Sequence, residues 1–166
     1  MIISLTPMIL AQVGQIQVIN AQIISVASGD TITVRNTNGG PNITIQLHCI
    51  DAPEMNQPGG KEAASRLRAL LPRGASVKVV AVKDQYGRTV GEVFGDQEIN
   101  FQLLLLREGH AWVDEPYMGD CRTSAPKLRQ AQSAARANRA GLWNQANPCP
   151  PWDFRKGQCV APKLKK

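Results

Sequence analysis

Between residues 17 and 50 the chain makes three runs of β-branched residues, separated only by short clusters of Gly, Asn and Ser. Gln17 to Val26 is rich in Ile and Val. Ser28-Gly29 breaks it, and Asp30 to Arg35 (DTITVR) resumes with period two. NTNGGPN at residues 36–42 turns the chain, and Ile43 to Ile50 alternates again. Residues two apart share one face of a strand, so each run can bury one side. Parallel neighbours need crossovers of a dozen residues or more. Connections this short therefore demand an antiparallel meander, with one apolar face that something else must cover.

Candidates for that cover follow. In GGKEAASRLRALLPRG (residues 59–74) the period changes: Ala64, Leu67, Leu70 and Leu71 fall at helical spacing, and Pro72 to Gly74 end the helix. Ser76 to Val82 is a fourth strand, DQYGR (84–88) a turn, and Thr89 to Phe94 a fifth strand closed by Gly95-Asp96. Asn100 is placed to cap FQLLLLRE, with Gly109 past its end. Ser124 opens a last helix, Pro126 to Ala140, stopped by Gly141, with a core-facing stripe of Leu128, Ala131, Ala135 and Leu142. Arg122, Arg129 and Arg136 recur every seven residues. Five short strands with a helix after the third match the outline of an oligonucleotide/oligosaccharide-binding barrel, or OB-fold, small and partly open. The expected class is α+β, mainly β, with three helices.

The 166 residues suit one domain, expected over residues 17–160. Residues 1–16 read as a flexible lead-in or the remnant of a signal segment. MIISLTPMILAQ is apolar but lacks the Lys or Arg of a signal peptide's first region. Residues 161–166 form a basic tail. No apolar run approaches the ~18 residues of a membrane span, which argues against a membrane-embedded chain. The net charge of +6 is uneven: residues 1–120 carry nine Lys/Arg against twelve Asp/Glu, and residues 121–166 carry ten against one. A cationic last third suits a polyanionic partner; a solvated basic face with a loose tail has the same composition.

Four cysteines, Cys49, Cys121, Cys149 and Cys159, contain no C-x-x-C pair. That argues against a zinc knuckle, and the even count favours disulfides in an oxidising compartment, hence a secreted or periplasmic protein. Three connectivities are open. The preferred one joins Cys149 to Cys159 across a Pro-rich loop and Cys49 to Cys121; the competing reading is four free thiols in a cytosolic protein.

The third strand ends in IDAPE, so that Asp51 and Glu54 bracket Ala52-Pro53 on a turn. Asp30 opens the second strand, and neighbouring strands of a meander can bring their ends together. Like charges ~4 Å apart cost about 1 kcal/mol in water and about 4 kcal/mol at an effective dielectric of ~20. A hard divalent ion held by carboxylate and carbonyl oxygens would relieve that repulsion. Taken alone, each acid also fits an ordinary solvated turn.

The phrases SGDTITV (28–34), CIDAPE (49–54), DQYGR (84–88), NFQLLLLREGHAWV (100–113) and PPWDFRKG (150–157) stand in the order found in the staphylococcal nuclease-like, or thermonuclease, family, which this chain resembles over roughly residues 20–157. The resemblance implies a five-stranded OB-fold barrel that cleaves DNA and RNA phosphodiesters using Ca2+. It implies Asp30, Asp51 and the Ala52 carbonyl as calcium ligands. Glu54 would orient or deprotonate the attacking water, and Arg88 would bind the scissile phosphate. Tyr117 falls near a tyrosine that lines the family's nucleotide pocket, while Glu115 stands where a second tyrosine is expected. Gln46, five residues before Asp51, stands where the family usually has a second phosphate-clamping arginine. A glutamine brings hydrogen bonds but no charge. His48 shares strand parity with Gln46 and is the nearby candidate to compensate; an ordinary barrel-face histidine is the alternative.

The resulting expectation is a calcium-dependent endonuclease, monomeric and impaired by Gln46. A catalytically inactive barrel that binds nucleic acid or another polyanion is the alternative.

Overall fold

The computed structural model describes residues 15–159. The expected lead-in, residues 15 and 16 apart, and the basic tail lie outside the described residues. Seven strands and four helices follow in order: β1 (Gln17–Val26), β2 (Thr31–Asn36), β3 (Asn42–Leu47), β4 (Ile50–Asp51), α1 (Gly60–Leu70), β5 (Ser76–Lys83), β6 (Thr89–Phe94), α2 (Phe101–Arg107), β7 (Trp112–Val113), α3 (Ala125–Ala137) and α4 (Pro151–Arg155).

Five of the strands form a closed barrel in the order β1-β2-β3-β6-β5. The meander is antiparallel as its short turns require. Closure comes from a brief parallel pairing of β3 with β6, Gln46 opposite Val90 and Leu47 opposite Gly91. The barrel is thus closed rather than partly open. Alternation fills it: Ile19, Ala21 and Ile23 of β1, Ile32 and Val34 of β2, Ile45 and Leu47 of β3, and Val77, Val79 and Ala81 of β5 are all buried. Ala63 and Leu67 of α1 and Leu105 and Leu106 of α2 join the same core.

The expected third strand, Ile43 to Ile50, is divided in two. Cys49 takes a left-handed backbone (φ 66°), a region that non-glycine residues enter at a cost. The kink swings β4 out of the barrel to pair with β7, Asp51 opposite Trp112. Nothing in the apolar alternation through Ile45, Leu47 and Cys49 announces it. Asn100 caps α2 as expected, its side-chain oxygen accepting the Leu103 N–H at 3.0 Å.

Helix α3 stops at Ala137, short of the expected Ala140, and the chain reverses through Arg139 (φ 51°). Its stripe of Leu128, Ala131 and Ala135 is buried, with Leu142 beside it. The three arginines at heptad spacing are each engaged. Arg122 donates to the Gly119 carbonyl, Arg129 forks onto Glu115 at 2.7 Å, and Arg136 lies over the Trp143 and Trp112 rings. Helix α4, unforeseen because five Pro-led residues carry no helical period, packs Trp152 edge-on against Trp112 at 5.7 Å. Among the described residues no helix is long and apolar enough to cross a membrane.

Candidate active site

Gly29 lets the site close. A Cβ there would stand 2.6 Å from the Ala63 Cβ of α1 and 2.8 Å from the Ala52 Cβ. Only hydrogen at this position allows helix, β2 entry and post-β4 turn to meet. Asp30 follows and is buried. Its Oδ1 accepts from the Ser28 and Thr31 hydroxyls at 2.8 and 3.1 Å, and its Oδ2 from the Ala52 N–H at 3.0 Å. Burial pushes the Asp30 carboxyl above the ordinary carboxylate range. The hydrogen bonds from Ala52 and Ser28 pull it back, and the nearby Asp51 charge adds to the rise.

Asp51, 5% exposed, points away from the barrel interior toward α4. Its two oxygens accept from the two terminal nitrogens of Arg155 at 3.1 and 2.7 Å. The same guanidinium donates to Glu54 Oε1 at 2.8 Å. Asp51 and Glu54 therefore converge on one cation, as two carboxylates three residues apart on a Pro-restrained turn can. The turn is braced by buried Gln57, whose Oε1 accepts the Glu54 N–H at 3.1 Å and whose Nε2 donates to the Cys149 carbonyl at 2.8 Å. Gly60 opens α1 so close that a Cβ would lie 1.9 Å from the Glu54 carbonyl oxygen. Asp114, just past β7, is a fourth acid here. Burial, then the Asp51 charge, raises its carboxyl to about 6 against the pull of Arg155.

Gln46, His48, Arg88 and Tyr117 line a common cavity of about 30 Å³ together with Asp84 and Asp114. It adjoins a cleft of about 780 Å³ walled by His48, Tyr117, Asp84, Asp120 and Arg122. The Arg88 Nε donates to Asp84 Oδ2 at 2.6 Å, and the half-exposed guanidinium lies 5.5 Å from the Tyr86 ring. His48 Nε2 is 3.0 Å from Asp120 Oδ2, and its ring is tilted against Tyr117 at 5.6 Å. Glu115, in place of the second expected tyrosine, is paired with Arg129.

The sequence-predicted residues thus fall into two adjoining groups. Asp30, Asp51, Ala52 and Glu54 lie at the acid corner; Gln46, His48, Arg88 and Tyr117 lie in the cleft. The cysteines sit in the preferred pairs, with Cα separations of 6.4 Å for Cys49 and Cys121 and 5.9 Å for Cys149 and Cys159. Sequence reasoning assigned no role to Arg155, Asp114 or Gln57. The signal for Arg155 was weak, one of two adjacent cations in an aromatic, Pro-led phrase, and its pairing spans 104 residues.

Fold and site together define an OB-type barrel that carries an acid corner beside an arginine- and tyrosine-lined cleft. Residues 44–145 match the family model described as "Staphylococcal nuclease homologue". The chain belongs to that family. An "Uncharacterized endonuclease" of Escherichia coli O157:H7 is 34% identical over 137 residues, 82% of this chain and 85% of that protein. Another of the same description, from Haemophilus influenzae, is 32% identical over 139 residues, 84% of this chain and 74% of that protein. "Staphylococcal-like nuclease CAN1" of Arabidopsis thaliana is 37% identical over 115 residues, 69% of this chain but 33% of that protein.

Among the described residues no three acidic, histidine or cysteine side chains already converge as a cation cage. The donor chemistry of the corner, carboxylates and backbone oxygen, fits a hard ion such as calcium.

Proposed function

We propose that this chain is a calcium-dependent phosphodiesterase that hydrolyses DNA and RNA, slowed by Gln46. The observation that carries the reading is the convergence of Asp51 and Glu54 on one cation, 2.7–3.1 Å from its nitrogens, with Asp30 hooked to the adjoining Ala52 N–H. Membership of the staphylococcal nuclease homologue family and the endonuclease relatives support it.

Asp30, Asp51 and the Ala52 carbonyl would hold the ion. When bound, calcium supplies Lewis-acid polarisation of a phosphate oxygen and a more acidic water. Glu54 is partly exposed at the corner, able to orient a water and take its proton. Arg88 presents a permanently charged fork to phosphate. The Arg88 side chain is 53% exposed while the Asp84 side chain beneath it is 6% exposed, so the open side of the guanidinium can meet a phosphodiester oxygen. Gln46 reaches the same cavity with neutral hydrogen bonds only. By analogy with losing one oxyanion donor, the missing charge slows cleavage roughly 10²–10³-fold. Tyr117 and His48 form a wall on which a base can stack. We take the protein to be a monomer, secreted or periplasmic, with both cysteine pairs closed as disulfides.

The test is digestion of plasmid DNA and of RNA with calcium, magnesium or chelator. Calcium-dependent cleavage is expected. Asp51→Ala and Arg88→Ala should each lose about 10²-fold or more while remaining folded, and Gln46→Arg should raise activity. Cleavage that persists in chelator would remove the metal from the account.

A second reading is favoured by the uncharged Gln46 and by Arg88 being turned onto Asp84. It is a non-catalytic barrel that grips polyanions, predicting salt-sensitive retention on DNA without cleavage at any calcium concentration.

A further inference from the structure

Arg155 is bonded to both acids of the corner. Its fork spans the two oxygens of Asp51, and one arm reaches Glu54. The geometry is the bidentate guanidinium–carboxylate arrangement, the stronger class of ion pair. Hydrogen bonding to Asp51, ahead of that to Glu54, raises the guanidinium's already high pKa further.

Its carrier is fixed to the same corner from three sides. Trp152 packs on Trp112, which pairs with Asp51 across β4 and β7. Gln57 ties the Glu54 turn to the Cys149 carbonyl, and Cys149 and Cys159 bracket α4. The cationic side chain is 48% exposed while the Asp51 side chain is 7% exposed, so the guanidinium sits as a stopper whose outer side faces solvent. Asp114 adds negative charge near it, and Arg88 is committed to Asp84.

We propose that Arg155 is the resident counter-ion of this corner and competes with the divalent cation for Asp51, so that the ion binds by displacing the guanidinium from Asp51 and thereby releases Glu54. The inference rests on the metal-dependent reading given above and deepens it. A single positive charge satisfies the two acids before the ion arrives. Once displaced, Arg155 remains tethered at the rim by α4. The affinity for the ion is then a difference between two occupants, set in part by a residue that ligates nothing.

The test is calorimetric titration of the full chain with calcium chloride, wild type against Arg155→Gln, paired with thermal melts in chelator and in saturating calcium. The variant should bind calcium roughly tenfold more tightly, equivalent to about 1.4 kcal/mol. It should melt below wild type in chelator, because two acids then face each other unpaired, and the gap should close in calcium. Arg155→Lys, which keeps the charge and gives up the fork, should shift affinity in the same direction by a smaller factor. It serves if the glutamine variant does not fold. Calcium affinity that is unchanged or weakened in these variants overturns the competition. If wild type then still cleaves with calcium, only this inference has failed. If neither protein binds calcium, both it and the metal-dependent reading fail.

Discussion

Burial and the charge of Asp51 hold the Asp114 carboxyl at about 6, against 3.8 for an ordinary aspartate. Between those values the folded protein binds more protons than the unfolded chain, so this group subtracts stability as pH rises from about 4 to about 6. Asp114→Asn should therefore melt higher than wild type above about pH 6, with the gain vanishing below about pH 4. Melting curves taken across that range check it, and a lower melting temperature at pH 7 would mean that the ionised form is stabilised where it lies. Asp30 shifts in the same direction, with its hydrogen bonds from Ala52 and Ser28 resisting. At this scale the sequence was legible wherever a residue type and its neighbours sufficed: the D-A-P-E turn could be suspected of gathering acids from spacing alone. Asp114 could not be, because its strained titration comes from packing beside Asp51, 63 positions earlier in the chain.

Elements reached their positions through a few close approaches, among them that of Gly29 to α1 and the Ala52 turn. Gly29→Ala has two Cβ atoms in its way and should lose about 1–3 kcal/mol, the usual cost of overpacking. Denaturant melts would read it, and the displacement should also lower calcium affinity, since Asp30 and Ala52 move with the elements. A variant as stable as wild type would show that α1 can shift freely. The bounds of β1 and β6, Gln17–Val26 and Thr89–Phe94, coincide with those expected from Ile/Val content and from the turn residues that close the runs. The β3–β4 break does not, because a left-handed cysteine inside an unbroken apolar alternation leaves no local mark. Helix α4 escaped for the opposite reason: a single turn is too short to show a period, and packing on Trp112 holds it in place.

Across the whole molecule, the Cys49–Cys121 pair, closed as the proposed disulfide, would tie the barrel corner to the segment ahead of α3 across a 72-residue separation. Closing so long a loop stabilises chiefly by restricting the unfolded chain. Replacing both residues with alanine should cost about 2–5 kcal/mol. The Cys149–Cys159 pair, ten residues apart, should contribute less to global stability. Alkylation and intact mass without reductant should find no free thiol, and labelled cysteines would remove the argument for an oxidising compartment. The barrel as a whole was readable because short turns between alternating runs admit few topologies. Its closure through parallel β3–β6 pairing was not, since two residue pairs leave no trace in composition.

The bond from Arg155 to Asp51 has a temporal side. The acids are translated early, and the guanidinium that quiets them lies 104 positions downstream. A ribosome delivers residues in order, so every nascent molecule passes through an interval in which the corner exists without its stopper. During that interval Asp51 and Glu54 have no guanidinium between them, and docking of α4 is the event that ends it.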